Sequence, residues 1–276
     1  MALVLLGGGW GVTLYRWGTG STVGPSQKKE EGPPMSRRFV DLSHTIHEGL
    51  VTYPGLPAPT ITPHLTREDS KAKYAAGTEF AMDIITMIGN TGTYLDSPYH
   101  RYADGGDLST LSLETLAELP AVVFTFPGVA GDETPGAAPE DQSEPGFDGR
   151  GITRDAFGTE DLRGTAVLLN TGWDALFGTP SYARGAPFLT ADGAQLLVER
   201  GVALVGIDSL NIDDTESGGE RPAHSLLLDA GIHVVEHLTG LGALPFRGSR
   251  FTAVPPKVRG FGTFPVRAFA TVDAPA

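Results

Sequence analysis

The chain has 276 residues, with 33 Asp and Glu against 20 Lys and Arg, a formal net charge of −13 and no Cys. That balance excludes a nucleic-acid backbone as partner, since such binding needs clustered cations to displace counterions. It also offers no polybasic patch for an anionic membrane, while the lack of Cys excludes disulfides, thiolate metal sites and a Cys nucleophile and fits a reducing, cytoplasmic compartment.

Hydrophobic residues at 40% supply a sizeable core, and 37 Gly with 21 Pro imply many turns, so the composition favours a mixed α/β or β-rich fold over a helical bundle. The chain opens on "ALVLLGGGWGVTLYRW", which three Gly interrupt and Arg16 ends. It is shorter than the ~20 residues a membrane-spanning helix needs, and no basic region precedes it as in a signal peptide. "LGGGWG" has neither the strand–helix context nor the Lys of a nucleotide loop. "GTGSTVGPSQKKEEGPP" then reads as linker. The expectation is a disordered or upstream leader over residues 1–34, with translation starting at Met35 and a catalytic domain over 35–276. Intact mass of the protein from its native host tests this.

Residues 37–47 read as a strand followed by Gly- and Pro-rich turns. "FAMDIITMIGNTGTYLD" (80–96) reads as an extended region buried on both faces. "LSTLSLETLAELP" (108–120) reads as a short helix capped by Ser109 or Ser112 and stopped by Pro120. "AVVFTF" (121–126) is a strand. Residues 128–150 form a Gly-, Pro- and acid-rich loop, read as a solvated insertion or, more sharply, a lid. "TAVLLNTGWD" (165–174) is a strand entering a turn. "TADGAQLLVERG" (190–201) is a helix with Gly201 at its end. "VALVGIDSLNIDD" (202–214) is a buried strand with a polar end. "PAHSLLLDAG" (222–231) is a helix, "IHVVEHL" (232–238) a strand, and "TFPVRAFATV" (263–272) the last strand. Apolar strands follow helices twice, so the fold class is one α/β domain with a mixed sheet.

The densest polar stretch is "IGNTGTYLDSPYHRYADGGD" (88–107). Asn90, Tyr94, Asp96 and His100 are separated by even numbers of residues, which in an extended chain points side chains to one face. A strand end with polar groups aimed one way can build a ligand or metal shell; buried polar groups that merely find partners are the bland alternative. Glu236 lies in an otherwise apolar strand, where an unpaired carboxylate is costly, so a partner is expected in His224, Asp96, a water or an ion. Trp173, at a strand end, can pack on an aromatic substrate or be plain core. His44 and Asp41 can line the same pocket, as can the acid-rich strand end at Asp208, Asn211, Asp213 and Asp214. His233 and His237 fall on the strand face opposite Glu236 and read as structural.

"NTGTYLDSPYH" resembles the motif HxGTHxDxPxH of the cyclase family of metal-dependent hydrolases, which includes kynurenine formamidases and isatin hydrolases. "FVDLSHTI", "LLNTGW", "LVGIDSLNID", "HSLLLDAGIHVVEHLTGL" and "FPVRAFA" agree with that family in order, over residues 39–270. The resemblance implies a barrel-like mixed-sheet core with flanking helices, a homo-oligomer (dimer or tetramer), and one divalent metal, Zn or Mn. It implies that Asp96 is a metal ligand, that His100 is a catalytic acid/base or second-site ligand, and that His224 and Glu236 complete the metal site. Asn90 and Tyr94 stand where the family has two His ligands. An amide oxygen is a weak ligand and a phenol must first lose its proton, so the site is degenerate and metal is weakly held or absent. Asp96, His224 and Glu236 still suit one hard ion, and Asp96, His100 and Tyr94 form an acid/base set, with Tyr94 able to hydrogen-bond an oxyanion.

Three functions follow for a small-molecule substrate. The first is hydrolysis of an amide, formamide or lactone with the degenerate metal site. The second is a metal-independent cyclase, dehydratase or isomerase using Asp96, His100 and Tyr94. The third is a non-catalytic binder. In the enzyme readings Asn90, Trp173 and His44 contact substrate. The presence or loss of metal with activity separates the first two, and ligand binding without any product marks the third.

Overall fold

The computed structural model describes residues 37–126 and 146–273. The leader expected over 1–34, and the acidic loop up to residue 145, lie outside the described residues. Among the described residues thirteen strands occur in chain order: β1 (Arg37–Asp41), β2 (Thr60–Leu65), β3 (Met82–Thr86), β4 (Tyr94–Asp96), β5 (Leu119–Thr125), β6 (Gly151–Ile152), β7 (Ala166–Asn170), β8 (Phe188–Leu189), β9 (Leu204–Ile207), β10 (His233–Glu236), β11 (Arg247–Thr252), β12 (Thr263–Pro265) and β13 (Phe269–Asp273). Three α-helices accompany them: α1 (Arg67–Ser70), α2 (Ala191–Glu199) and α3 (Pro222–Asp229). Nine strands make one mixed sheet in the order β1-β13-β11-β5-β7-β9-β10-β4-β12, curled into a half-barrel.

Its centre, β5-β7-β9-β10, is parallel. The sequence explains why. Along β7, Val167 and Leu169 enter one core cluster while Ala166 and Leu168 enter the other; Val205 and Leu204 of β9, and Val234 and Val235 of β10, divide the same way. A strand buried on both faces needs a continuous apolar run, and these three strands have one. One face is covered by α2 and α3, which pack on each other. α2 starts where the Thr190 hydroxyl accepts the Gly193 N–H at 3.3 Å. It ends just before Gly201, whose φ of +65° suits a residue without Cβ.

Three elements differ from the sequence reading. The last strand expected over 263–272 is two: β12 pairs with β4 at one edge of the sheet, and β13 lies between β1 and β11. The extended region over 80–96 is two strands. β3 is exposed throughout and pairs only with β2, in a separate two-stranded ribbon, whereas β4 is wholly buried. The helix expected over 108–120 is a single 3-10 turn at Leu113–Thr115, and β5 already begins at Leu119. Asp107 explains the loss: its Oδ1 accepts the Ser109 N–H (2.9 Å) and hydroxyl (2.7 Å), a local alternative to helical hydrogen bonding. Glu118 at φ 53° then turns the chain into β5.

The sheet's register builds the site. In β4 the pair Tyr94 and Asp96 share a face, as residues two apart must. Tyr94 lies opposite Glu236 of β10, and Asp96 lies opposite Thr263 of β12. Directly opposed residues on neighbouring strands are close enough to bond.

Candidate active site

A cavity of about 580 Å³ opens over β4 and β10; Asn90, Tyr94, His100, Asn211, His224 and Glu236 line it, with Arg101 and Arg221 among the residues at its wall. Asp96 is wholly buried beneath it. The Thr263 hydroxyl donates its one hydrogen to Asp96 Oδ1, and Thr263 Oγ1 lies 2.6 Å from His100 Nδ1. Since that hydrogen is already used, the imidazole must be the donor at Nδ1. His100 is thereby fixed in the tautomer that leaves Nε2 as a free acceptor. Its backbone is brought there by Gly262, where a Cβ would stand only 2.5 Å from the His100 amide nitrogen.

A second carboxylate–imidazole pair faces the first. Asp213 Oδ2 lies 2.7 Å from His224 Nδ1 and also accepts the His224 backbone N–H, while Asp213 Oδ1 accepts the Ala223 N–H at 2.6 Å. One carboxylate thus caps α3 and orients its histidine. His224 Nε2 is left 3.5 Å from Asp96 Oδ2 and 3.5 Å from Glu236 Oε1. Glu236 Oε1 accepts the Ile212 N–H (2.6 Å), and Glu236 Oε2 accepts the Tyr94 hydroxyl (2.6 Å).

The charges follow from this packing. Burial opposes the His224 imidazolium, but Glu236, the Asp213 hydrogen bond and Asp96 outweigh it and raise its pKa. Burial also opposes the Asp96 carboxylate, but His224, His100 and Thr263 hold it below the usual range. Burial and the charges of Glu236 and Asp96 push the Tyr94 phenol well above its ordinary value. Tyr94 is therefore a neutral donor to Glu236 in this arrangement.

The residues fit a divalent ion. Asp96 Oδ2 is buried with no hydrogen-bond partner. It lies 3.5 Å from His224 Nε2, which lies 3.5 Å from Glu236 Oε1, so that nitrogen, once deprotonated, is flanked by two carboxylate oxygens. Two ligands at about 2.0–2.2 Å from a tetrahedral ion lie roughly 3.4 Å apart, close to the 3.5 Å spacings seen here. Asp213 behind His224 is the carboxylate partner that metal-bound imidazoles characteristically have. Ligand atoms of Asp96, His100 and His224 also fall within 4.8 Å of one another, so His100 stands at the edge of the same cluster.

The structure brings together seven of the residues expected here: Asn90, Tyr94, Asp96, His100, Asn211, His224 and Glu236. It does not bring Trp173 or His44 to the cavity wall. Trp173 is buried with Tyr182, Ala186 and Leu210, and its indole N–H donates to the Tyr182 carbonyl at 2.8 Å, so it has no free face for substrate. His44 stacks on Phe177, with ring centroids 3.6 Å apart. Asp41 pairs with Arg267 at the surface. Asp208 holds the turn after β7 by accepting the Thr171 and Gly172 N–H groups. Asp214 pairs with Arg150. Sequence reasoning missed Thr263 and set His237 aside. His237 is fully buried at φ 55°, with Nδ1 2.8 Å from the Tyr182 hydroxyl and Nε2 3.3 Å from that of Tyr94. Only the polar residue inside "FGTFP" hinted at Thr263, and nothing local tied it to Asp96.

The sequence profile of the Cyclase family matches residues 40–214, more than half of the chain. A kynurenine formamidase of Geobacillus thermodenitrificans is 28% identical over 205 residues, covering 74% of this chain and 83% of that one. A Bacillus cereus kynurenine formamidase is 26% identical over 200 residues, covering 72% and 81%. Among solved structures, an isatin hydrolase bound to the product analogue thioisatinate superposes with a TM-score of 0.68 at 22% identity, covering 86% of this chain and 93% of that one. A structure described as a potential metal-dependent hydrolase with cyclase activity gives 0.65 at 24% identity, covering 87% and 100%. These last two likenesses concern the fold.

Proposed function

Given that this chain belongs to the Cyclase family, we propose that it is a hydrolase of small-molecule amide bonds, a formamide or cyclic amide above all. The observation that carries this is the Asp96–Thr263–His100 line, which ends in a free imidazole nitrogen beside a cavity of substrate size. The relatives named kynurenine formamidase agree with it.

His100 Nε2 takes the proton of an attacking water and returns it to the departing amine nitrogen. Thr263 and Asp96 keep the ring in the right tautomer. The amide groups of Asn90 and Asn211 line the wall and can donate to the carbonyl oxygen as it gains charge. Asp96, His224 and Glu236 would hold a divalent ion, Zn or Mn, which supplies polarisation of the carbonyl and acidification of water when bound. Asp213 keeps His224 Nε2 aimed at that point.

A second reading, acid/base chemistry without metal by a cyclase, dehydratase or isomerase, is favoured by one observation: Asn90 and Tyr94 bring no imidazole to the cavity. Metal analysis of protein purified without added metal, followed by chelation, distinguishes the two. Stoichiometric Zn or Mn lost together with activity on a formamide panel is the expected result; full activity in metal-free protein overturns the metal-assisted reading. Absence of turnover on every formamide and lactam, with tight ligand binding, would return the protein to the binder class.

We also propose a homo-oligomer in the cytoplasm. Support for the first is the β2–β3 ribbon, where Ile61, Met82, Ile84 and Ile85 are exposed; support for the second is the absence of Cys. No helix among the described residues is long and apolar enough to cross a membrane.

A further inference from the structure

The floor of the cavity is acidic, with Asp96 and Glu236 at the reacting end and Asp213 behind His224. Its wall nevertheless carries two guanidinium groups, those of Arg101 and Arg221. Neither lies within 4.0 Å of a carboxylate among the described residues; the arginines that do are elsewhere, at positions 37, 150, 247 and 267. Arg101 directly follows the 3-10 turn that presents His100, and Arg221 is the residue that opens α3, three positions before His224.

The Arg101 side chain is tied through Ser225 to the backbone of Arg221. Arg101 Nε donates to the Ser225 hydroxyl at 3.4 Å, and that hydroxyl donates to the Arg221 carbonyl at 2.7 Å. The Arg101 guanidinium lies 5.4 Å over the Tyr102 ring, whose hydroxyl is tied to the Ser225 carbonyl. Arg221 Nη1 is engaged by the Asp214 and Glu220 carbonyls. The remaining N–H groups of both forks are without protein partners among the described residues. The N–H groups at the start of α3 do not compete for an anion, because Asp213 already takes those of Ala223 and His224.

From this placement we infer that the substrate carries a carboxylate, which Arg101 and Arg221 bind at the rim while the amide carbonyl points inward to His100. The inference rests on the amide-hydrolase reading for the inward end and on the arginines alone for the outward end. A planar guanidinium fork matches a carboxylate. The acidic floor repels that same group, so the two ends of the cavity orient the substrate in one direction. Exposed Glu220 stands on the same rim. It disfavours a second negative charge there, which argues for a monoanion over a phosphate.

The test uses a matched pair of substrates, 4-formamidobenzoate and formanilide, which differ only in a carboxylate across the ring from the formamide. The readout is the ratio of their kcat/KM values. The wild type is expected to prefer the charged substrate. In Arg101→Gln and in Arg221→Gln that preference is expected to fall by roughly 10- to 100-fold, the range of a lost charge-assisted hydrogen bond. The loss should appear in KM, and Arg221→Lys should recover part of it. An unchanged ratio in both glutamine variants, or a wild type that prefers formanilide, overturns the inference. If neither compound is turned over, the formamide reading fails, and calorimetry with 4-aminobenzoate against aniline decides the carboxylate subsite by itself. Selective binding of 4-aminobenzoate that weakens in both variants sustains it, and equal or absent binding refutes it.

Discussion

Replacing Thr263 by Val removes one hydroxyl and almost no volume, yet that hydroxyl carries the hydrogen-bonded link between Asp96 and His100, whose direct separation is 3.6 Å. The variant loses the bond to Asp96 Oδ1 and the 2.6 Å bond from His100 Nδ1. Asp96 is fully buried and its Oδ2 has no hydrogen-bond partner, so the carboxylate would keep only the longer contacts to His224 at 3.5 Å and His100 at 3.6 Å. A hydrogen bond to a charged group contributes about 1.5–3 kcal/mol net, so stability should fall by about 2 kcal/mol in urea denaturation. Catalysis should fall further. With its acceptor partner gone, His100 no longer has one enforced tautomer, and a positioned acid/base group contributes about 10²–10⁴-fold. We expect kcat/KM on the best formamide substrate to drop by roughly 10²-fold, with most of the loss in kcat. Thr263→Ser keeps the oxygen and should stay within a few-fold of wild type. A folded Thr263→Val protein with wild-type kcat/KM would show that His100 does not work through this line.

Three other outcomes are expected. Asp213→Asn cannot both accept the His224 Nδ1–H and cap α3 with two oxygens; Zn affinity by calorimetry should weaken by about 10–100-fold, and an unchanged affinity would remove Asp213 from the metal-site argument. Burial lowers the pKa of His233 to about 4 from 6.5. Its contribution to stability is complete above pH 6.5 and is lost as pH falls toward 4, by about 3 kcal/mol in all. The stability of His233→Gln should decline less steeply over that window, and parallel wild-type and variant curves would refute this. An isolated two-stranded ribbon is marginal in water, and Ile84 and Ile85 are each 48% exposed on opposite faces of β3. The double variant Ile84→Asp, Ile85→Asp should therefore shift an oligomer toward monomer in light scattering, and an unaltered mass would place the contact elsewhere.

How much of this the sequence discloses depends on the range of the interaction concerned. The parallel strands β7, β9 and β10 are legible because burial on both faces writes itself as a continuous apolar run. Tyr94 and Asp96 are legible as partners on one face because two-residue spacing is local. The even spacing was misleading for Asn90 and His100: β4 is only three residues long, so those two reach the cavity from the bends before it and the 3-10 turn after it. The apolar run at 82–86 has the composition of a core strand, and nothing within it reveals that its sole pairing partner is β2. Thr263 is the extreme case. It stands 167 residues from Asp96 in sequence and opposite it in register, and its chemistry exists only because β12 closes the sheet on β4. The metal question has the same form. Counted along the motif, Asn90 and Tyr94 offer no imidazole, and Asp96 is the one carboxylate between them and His100. Counted in space, β10 and α3 bring Glu236 and His224 to within 3.5 Å of each other and His224 to the same distance from Asp96. The groups that could hold an ion therefore come from three elements, β4, β10 and α3, and only one of those elements carries the motif.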